Sequence, residues 1–113
     1  MDVRSLGRGS VAAFLAGATL LLAGCESSED RAFMADCQSK RGFSREQCSC
    51  VKDLINDSVQ DEKGRTYVKA LVVGDQSKAA QIQSTFGLME GGRILARATW
   101  LATNAPQACG VAI

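Results

Sequence analysis

Cysteine is the residue type with the most varied chemistry in this 113-residue chain, which contains five cysteines and no histidine. A cysteine can carry a lipid, form a disulfide, exchange thiols or ligate a soft metal ion. Without histidine, the base of a Ser-His-Asp or Cys-His catalytic site is missing. The role of each cysteine must therefore be inferred from its position, and the five are Cys25, Cys37, Cys48, Cys50 and Cys109.

Cys25 follows a segment built of three zones in a fixed order. Residues 1–10 form a short cationic segment, with two arginines and one aspartate. Residues 11–22 carry no charge, and this run is shorter than the roughly 20 residues that a transmembrane helix needs. Two small residues then precede Cys25, where a signal peptidase requires narrow side chains. The pattern predicts a cleaved export signal.

The residues Leu22-Ala23-Gly24-Cys25 resemble the lipobox of bacterial lipoprotein precursors. The resemblance implies cleavage between Gly24 and Cys25, a diacylglyceryl group on the Cys25 sulfur, and acylation of the new amino terminus. Several acyl chains make such an anchor durable, since each buried methylene contributes about 0.8 kcal/mol. The implied location is the periplasmic side of a cell membrane. Glu26, where an Asp would resemble an inner-membrane retention signal, favours the outer membrane.

Three parts of the chain follow from this interpretation. Residues 1–24 form the signal peptide, residues 25–30 the lipidated cysteine with a short ESSED linker, and residues 31–113 one helical domain. Without the signal the chain has eleven basic and eleven acidic side chains, so no basic excess favours nucleic acid. The linker lifts the domain by less than roughly 20 Å. We therefore expect the domain to act close to the bilayer surface.

Apolar residues after position 30 recur at three- and four-residue intervals, which predicts an all-α domain of four to five helices. Expected boundaries are Gly42 and Gly74 as C-terminal stops, a capping box at Ser44, and N-caps at Asp61 and Asp75. The expected buried stripes are Phe33, Met34 and Cys37; Val51, Leu54, Ile55 and Val59; Tyr67, Val68, Leu71 and Val72; Ala79, Ile82, Phe86 and Met89; and Ile94, Ala98, Leu101 and Ala102.

The last two stripes point in nearly opposite directions if one straight helix contains both. A break at Gly91-Gly92 resolves this conflict, with a fifth helix over residues 93–104. The alternative is one long helix buried on two sides. In both cases we expect Pro106 to close the helical region.

The four later cysteines form an even set in an exported chain, where oxidising conditions favour disulfides. Cys48 and Cys50 lie roughly 160° apart on one helix, so each needs a different partner. The favoured pairing is Cys37 with Cys48 and Cys50 with Cys109. The exchanged pairing, Cys37 with Cys50 and Cys48 with Cys109, stays open.

Redox and metal chemistry are alternative uses of the same thiols. A redox site usually needs two cysteines that can bond each other, which the helical placement of Cys48 and Cys50 disfavours. The paired Cys-x-x-Cys spacing of zinc sites is also missing. We expect no metal, no cofactor and no small-molecule substrate.

Arg93, Arg97 and Trp100 lie on one line at three- and four-residue spacing and form a possible contact surface. A tryptophan among arginines can contact lipid headgroups or a protein partner. The simpler interpretation packs Trp100 under Pro106 and the tail.

Carboxylate pairs such as Asp53 and Asp57 are interpreted as solvated helix faces, so we expect no enzyme. The region after the signal also resembles small exported helical proteins of unassigned function, through its Cys, Cys-x-Cys and late Cys-Gly.

Two hypotheses for the function remain. One is a lipid-anchored, non-enzymatic interaction or structural component of the cell envelope, with a protein partner that the sequence does not identify. The other is a small thiol-redox or metal-handling periplasmic factor.

Overall fold

The computed structural model describes residues 26–113, which form five helices and no strand. The helices are α1 (Ser28–Arg41), α2 (Arg45–Ser58), α3 (Glu62–Val73), α4 (Gln76–Gln83) and α5 (Leu88–Cys109). Two disulfides link them. The prediction of a small, all-α, disulfide-stapled domain is confirmed.

The first three helices begin and end where local signals in the sequence place them. Gly42 ends α1 with a left-handed φ of 69°. At the start of α2, the Ser44 hydroxyl accepts from the Gln47 amide at 3.1 Å, and the Gln47 side chain accepts from the Ser44 amide at 2.9 Å. The Asp61 carboxylate accepts from the Gly64 amide at 2.8 Å. Each cap satisfies backbone groups that a helix end leaves unpaired.

The break between α4 and α5 lies at residues 84–87, so its predicted position at Gly91-Gly92 is wrong. The hydroxyls of Ser84 and Thr85 each donate to a carbonyl three residues earlier, at 2.7 Å. Such side chains compete with the helical hydrogen bonds and end α4. Both glycines lie inside α5 with ordinary φ values. Packing along α5 outweighs a helix-propensity penalty of about 1 kcal/mol per glycine.

The displaced break changes which side chains are buried. Met89 is 85% exposed and does not share a buried stripe with Phe86. Leu71 and Ala102 are also exposed, whereas Ala70 and Ala105 are buried in their place. In α1 and α2 the buried residues, such as Phe33 and Ile55, lie on the predicted stripes. In α3 and α5 the neighbouring helices also cover positions outside the predicted stripe, because packing decides which face is buried.

Pro106 lies inside α5, so its predicted role as the end of the helical region is wrong. A proline normally removes one helical hydrogen bond and disturbs the preceding turn. Here the last turn is held on both sides of the proline, because Ala105 is fully buried and Cys109 is bonded to Cys50. Gly110 then ends the helix with a φ of 72°.

α1 and α2 form an antiparallel hairpin, with Cys37 bonded to Cys48 near its turn. α3 packs on both of them, α4 returns along α3, and α5 lies antiparallel to α2. Short contacts group the first turns of α1, α3 and α5 with the last turn of α2, and we call this the N-terminal end of the bundle. Arg41 marks the opposite end, where its guanidinium donates to the Val72 carbonyl at 2.6 Å and the Ala112 carbonyl at 3.1 Å.

One apolar core runs through the hairpin, α3 and the inner face of α5. Burial of these side chains is the main stabilising contribution, at roughly 25 cal/mol per Å² of apolar surface. Both cysteines of the first bridge belong to it. The largest fully buried side chains are Ile55, Leu101, Val51, Val68, Cys37 and Cys48.

Candidate functional site

The predicted cleavage and lipidation residues, Gly24 and Cys25, lie outside the residues that the structure describes. The described chain begins at Glu26, and Ser27 already caps α1 by accepting from the Asp30 amide at 3.0 Å. The ESSED linker is therefore helical from its third residue onwards. Only Glu26 and Ser27 separate position 25 from a folded helix.

Lys69 fixes the start of α1 to α3 through a charged cluster that the sequence did not predict. Its side chain is buried, with 5% of the residue exposed. The ammonium lies 2.6 Å from an Asp30 carboxylate oxygen and 3.0 Å from a Glu29 oxygen. The Thr66 hydroxyl donates to the other Glu29 oxygen at 2.8 Å. Buried charges need such partners, and here the partners come from the residues expected to be linker.

The pKa of Asp30 is lowered from its ordinary value of 3.8. Partial burial by itself would raise this pKa, because it disfavours the carboxylate. Hydrogen bonds from Lys69, Asn56 and Ser27, together with the positive charge of Lys69, outweigh that effect. The Asn56 amide donates to both Asp30 oxygens at 3.4 Å, which also ties the end of α2 to the start of α1. Asp30 is thus ionised at neutral pH and holds three helices together.

The four later cysteines form the favoured pairs, Cys37 with Cys48 and Cys50 with Cys109. Their Cα atoms lie 5.9 Å and 5.6 Å apart, within the usual range for disulfides. The first bridge is fully buried, whereas the second is partly exposed. Within residues 26–113, no group of three or more Cys, Asp or Glu side chains is arranged to hold a metal ion.

Arg93, Arg97 and Trp100 share one side of α5, and all three are exposed. The two arginines line a shallow groove between α5 and the turn after α2, together with Asp61 and Glu90. Neither guanidinium forms an ion pair within the part of the chain that the structure describes. Trp100 is 42% exposed and lies outside this groove. The structure thus brings the two arginines to one groove and leaves the indole beside it.

A second exposed feature of α5 was missed by sequence reasoning. Leu88 is 98% exposed, Met89 85% and Leu95 61%. Around the helix, these side chains lie roughly 100° to 140° from Ile94 and Leu101, on a face without a charged residue. We call this the α5 outer face, and it contains Leu88, Met89, Gly92, Leu95, Ala96, Thr99 and Thr103. The sequence signal for this face was the presence of large apolar residues in α5 that do not share the helical phase of the buried stripe.

None of the five helices combines the length and the apolar composition needed to cross a bilayer, as far as residues 26–113 show. Comparisons with protein-family models, with curated proteins and with solved structures give no match for this chain.

Proposed function

We propose that this chain is a lipid-anchored component of a bacterial cell envelope that works by contact with other molecules rather than by catalysis. The lipid is carried by Cys25, after removal of residues 1–24. The folded part faces the periplasm at the membrane surface, and the outer membrane is favoured over the inner one.

The observation that carries this proposal is the position of Cys25 between an export signal and a folded helix. It follows an uncharged run and two small residues, in the lipobox pattern. The four cysteines after it bond one another in two disulfides, so no described thiol is left to pair with it. Disulfides of this kind persist in oxidising compartments such as the periplasm.

A contact role is supported by the surface of α5. Leu88, Met89, Leu95 and Trp100 are large apolar residues that the fold leaves exposed. Apolar side chains grouped on one face are typical of binding surfaces when they form a continuous patch. Arg93 and Arg97, whose guanidiniums form no ion pair within residues 26–113, lie on the same helix and add a cationic edge to it.

The test is mass spectrometry of the amino-terminal tryptic peptide from the full chain expressed in a bacterium. Cleavage before Cys25 and after Arg31 gives the peptide CESSEDR, and we expect it to carry a diacylglyceryl group and an acylated amine. In Cys25→Ser the lipid is lost, whereas Ser28→Ala, a change outside the lipobox, leaves it in place. A wild-type peptide without lipid would contradict the anchor.

The same sample distinguishes the alternative hypothesis of a thiol-redox or metal-handling factor. Under thiol-blocking conditions we expect two intact disulfides, no blocked thiol and no bound metal. A substantial blocked fraction at Cys50 and Cys109, or bound copper or zinc, would favour the alternative. Chemical crosslinking in intact cells, followed by purification of the lipidated protein, then identifies the protein partner.

A further inference from the structure

Leu88 and Met89 are the two most exposed large apolar side chains of the described domain. They are adjacent at the first turn of α5 and are 98% and 85% exposed. A Cβ added at neighbouring Gly87 or Gly92 would meet nothing within 4 Å. The Leu88 and Met89 side chains therefore project from this corner of the bundle into open space.

The corner lies at the end of the bundle where the lipid attachment would be. Lys63, in the first turn of α3, is 3.2 Å from Glu90 in the first turn of α5. One turn further along α3, Thr66 contacts Glu29 in the first turn of α1 at 2.8 Å. The first turns of α1, α3 and α5 are thus side by side. Ser28 is three residues from Cys25, a reach of roughly 10 Å in extended chain.

We propose that Leu88 and Met89 insert into the bilayer that holds the Cys25 lipid and give the domain a second point of membrane attachment. This inference rests on the proposed lipid anchor, because the anchor decides which end of the bundle meets the membrane. An acyl chain at position 25 brings the bilayer surface to the N-terminal end. The exposed side chains of Leu88 and Met89 then enter the boundary between the lipid headgroups and the acyl chains, as the apolar faces of peripheral proteins do.

Part of the acidic charge at this end of the bundle is neutralised by lysines. Three acidic residues next to the lipid site are paired: Glu26 with Lys52 at 3.9 Å, and Glu29 and Asp30 with Lys69. Arg93 lies one helical turn after Met89, on the same side of α5. Its long side chain can reach lipid phosphates while the apolar residues enter the membrane.

Two attachment points fix the orientation of the domain. With both Cys25 and the start of α5 at the membrane, the helices run away from its surface. Trp100 then lies roughly 18 Å beyond Leu88 along α5, at 1.5 Å per residue. That height takes the indole past the headgroups and leaves the distal part of the α5 outer face to a protein partner.

Fluorescence quenching by brominated lipids tests this orientation in the full, lipidated protein. One sample carries Leu88→Trp with Trp100→Phe, and the matched control carries Gln107→Trp with Trp100→Phe. Gln107 is exposed, as Leu88 is, and lies roughly 28 Å further along α5. Both proteins are reconstituted into vesicles of phosphatidylethanolamine and phosphatidylglycerol with a fixed fraction of brominated phosphatidylcholine. We expect at least threefold stronger quenching at position 88 than at position 107.

The outcomes separate the two proposals. Equal, weak quenching at both positions in protein whose amino-terminal peptide carries lipid would overturn the insertion and leave the anchor standing. A peptide without lipid, in protein that does not bind vesicles, would overturn both proposals. A blue-shifted signal at position 88 that grows with the protein-to-lipid ratio but is not quenched by bromolipid would show that a second copy covers the corner, which also overturns the insertion.

Discussion

The hairpin with α3 and the long helix α5 are two regions of one small domain that use their residues differently. In α3, seven of twelve residues are buried, and the charged Lys69 among them has partners from α1. In α5, three of 22 residues are buried: Ile94, Leu101 and Ala105. In the first region, most side chains of α3 contribute to the core. In the second region, most side chains of α5 are exposed to solvent and do not contribute to packing.

The difference shows how α5 is held. Its first half meets the bundle through Ile94, whose side chain lies over Gly64, and its last turn through the bridge from Cys109 to Cys50. Leu101 and Ala105 are fully buried between these two places, so α5 is held along one narrow stripe and its other faces stay exposed. This arrangement gives a rigid contact surface beside a compact core. Substitutions at the contacts that hold each region measure how far the two regions are independent in stability.

The largest expected effect comes from removing the bridge that holds α5. The double variant Cys50→Ala/Cys109→Ala should lower the free energy of unfolding by about 4 kcal/mol, because the bridge closes a long loop. Cys37→Ala/Cys48→Ala removes the bridge that closes a shorter loop, with a sequence separation of 11 rather than 59. This variant should lower the free energy of unfolding by about 3 kcal/mol. Urea denaturation followed by circular dichroism measures both. A smaller effect for the Cys50 and Cys109 pair would show that α5 packs firmly without its bridge.

Next in size is the charged cluster of the first region. Lys69→Met should lower the free energy of unfolding by about 3 kcal/mol, because it leaves two partly buried carboxylates without their cation. The control is Lys40→Met, which removes an exposed ion pair with Asp36 at 3.8 Å and should change stability by less than about 0.5 kcal/mol. Equal effects in the same denaturation assay would mean that the cluster does not hold α1 in place.

Two glycines give opposite results if the regions differ as described. A Cβ at Gly64 would lie 3.0 Å from a Val59 methyl and 3.2 Å from the Ile94 Cδ1 atom, so Gly64→Ala should destabilise by about 1 kcal/mol through overpacking. At Gly92 a Cβ meets nothing within 4 Å. Gly92→Ala should therefore stabilise by about 1 kcal/mol through helix propensity. Thermal unfolding of the two variants checks the opposite signs, and two shifts in the same direction would contradict the close approach of α3 and α5.

The smallest expected effect is a loss of stability in acid that depends on Asp30. Its pKa is lower in the folded chain than the ordinary 3.8, so its contribution is present above the unfolded-state pKa and is lost as the pH falls through the folded one. Asp30→Asn should flatten the fall in stability between about pH 5 and about pH 2. Asp53→Asn, at an exposed position, should retain the wild-type slope. An unchanged slope in Asp30→Asn would show that other carboxylates carry the acid sensitivity.

Local signals predicted the first three helices well because their caps involve residues only three or four positions apart. Ser44 with Gln47 and Asp61 with Gly64 are such cases. The end of α4 was not predicted, although its hydroxyl contacts are also local, because a Gly-Gly pair is the stronger helix breaker by intrinsic propensity. The partners of Lys69 were beyond sequence reasoning, since 40 positions separate it from Glu29.

By itself the sequence determined the helical class, three helix starts, the lipobox pattern and a preference for one cysteine pairing. These depend on residue type and on spacing within a few turns. Only the tertiary structure decided which faces are covered, that Glu29 and Asp30 pair with Lys69 of α3, and that Leu88 and Met89 stand at the same end of the bundle as the start of α1. Each of these depends on helices far apart in the chain, and their packing cannot be read from one helical period at a time.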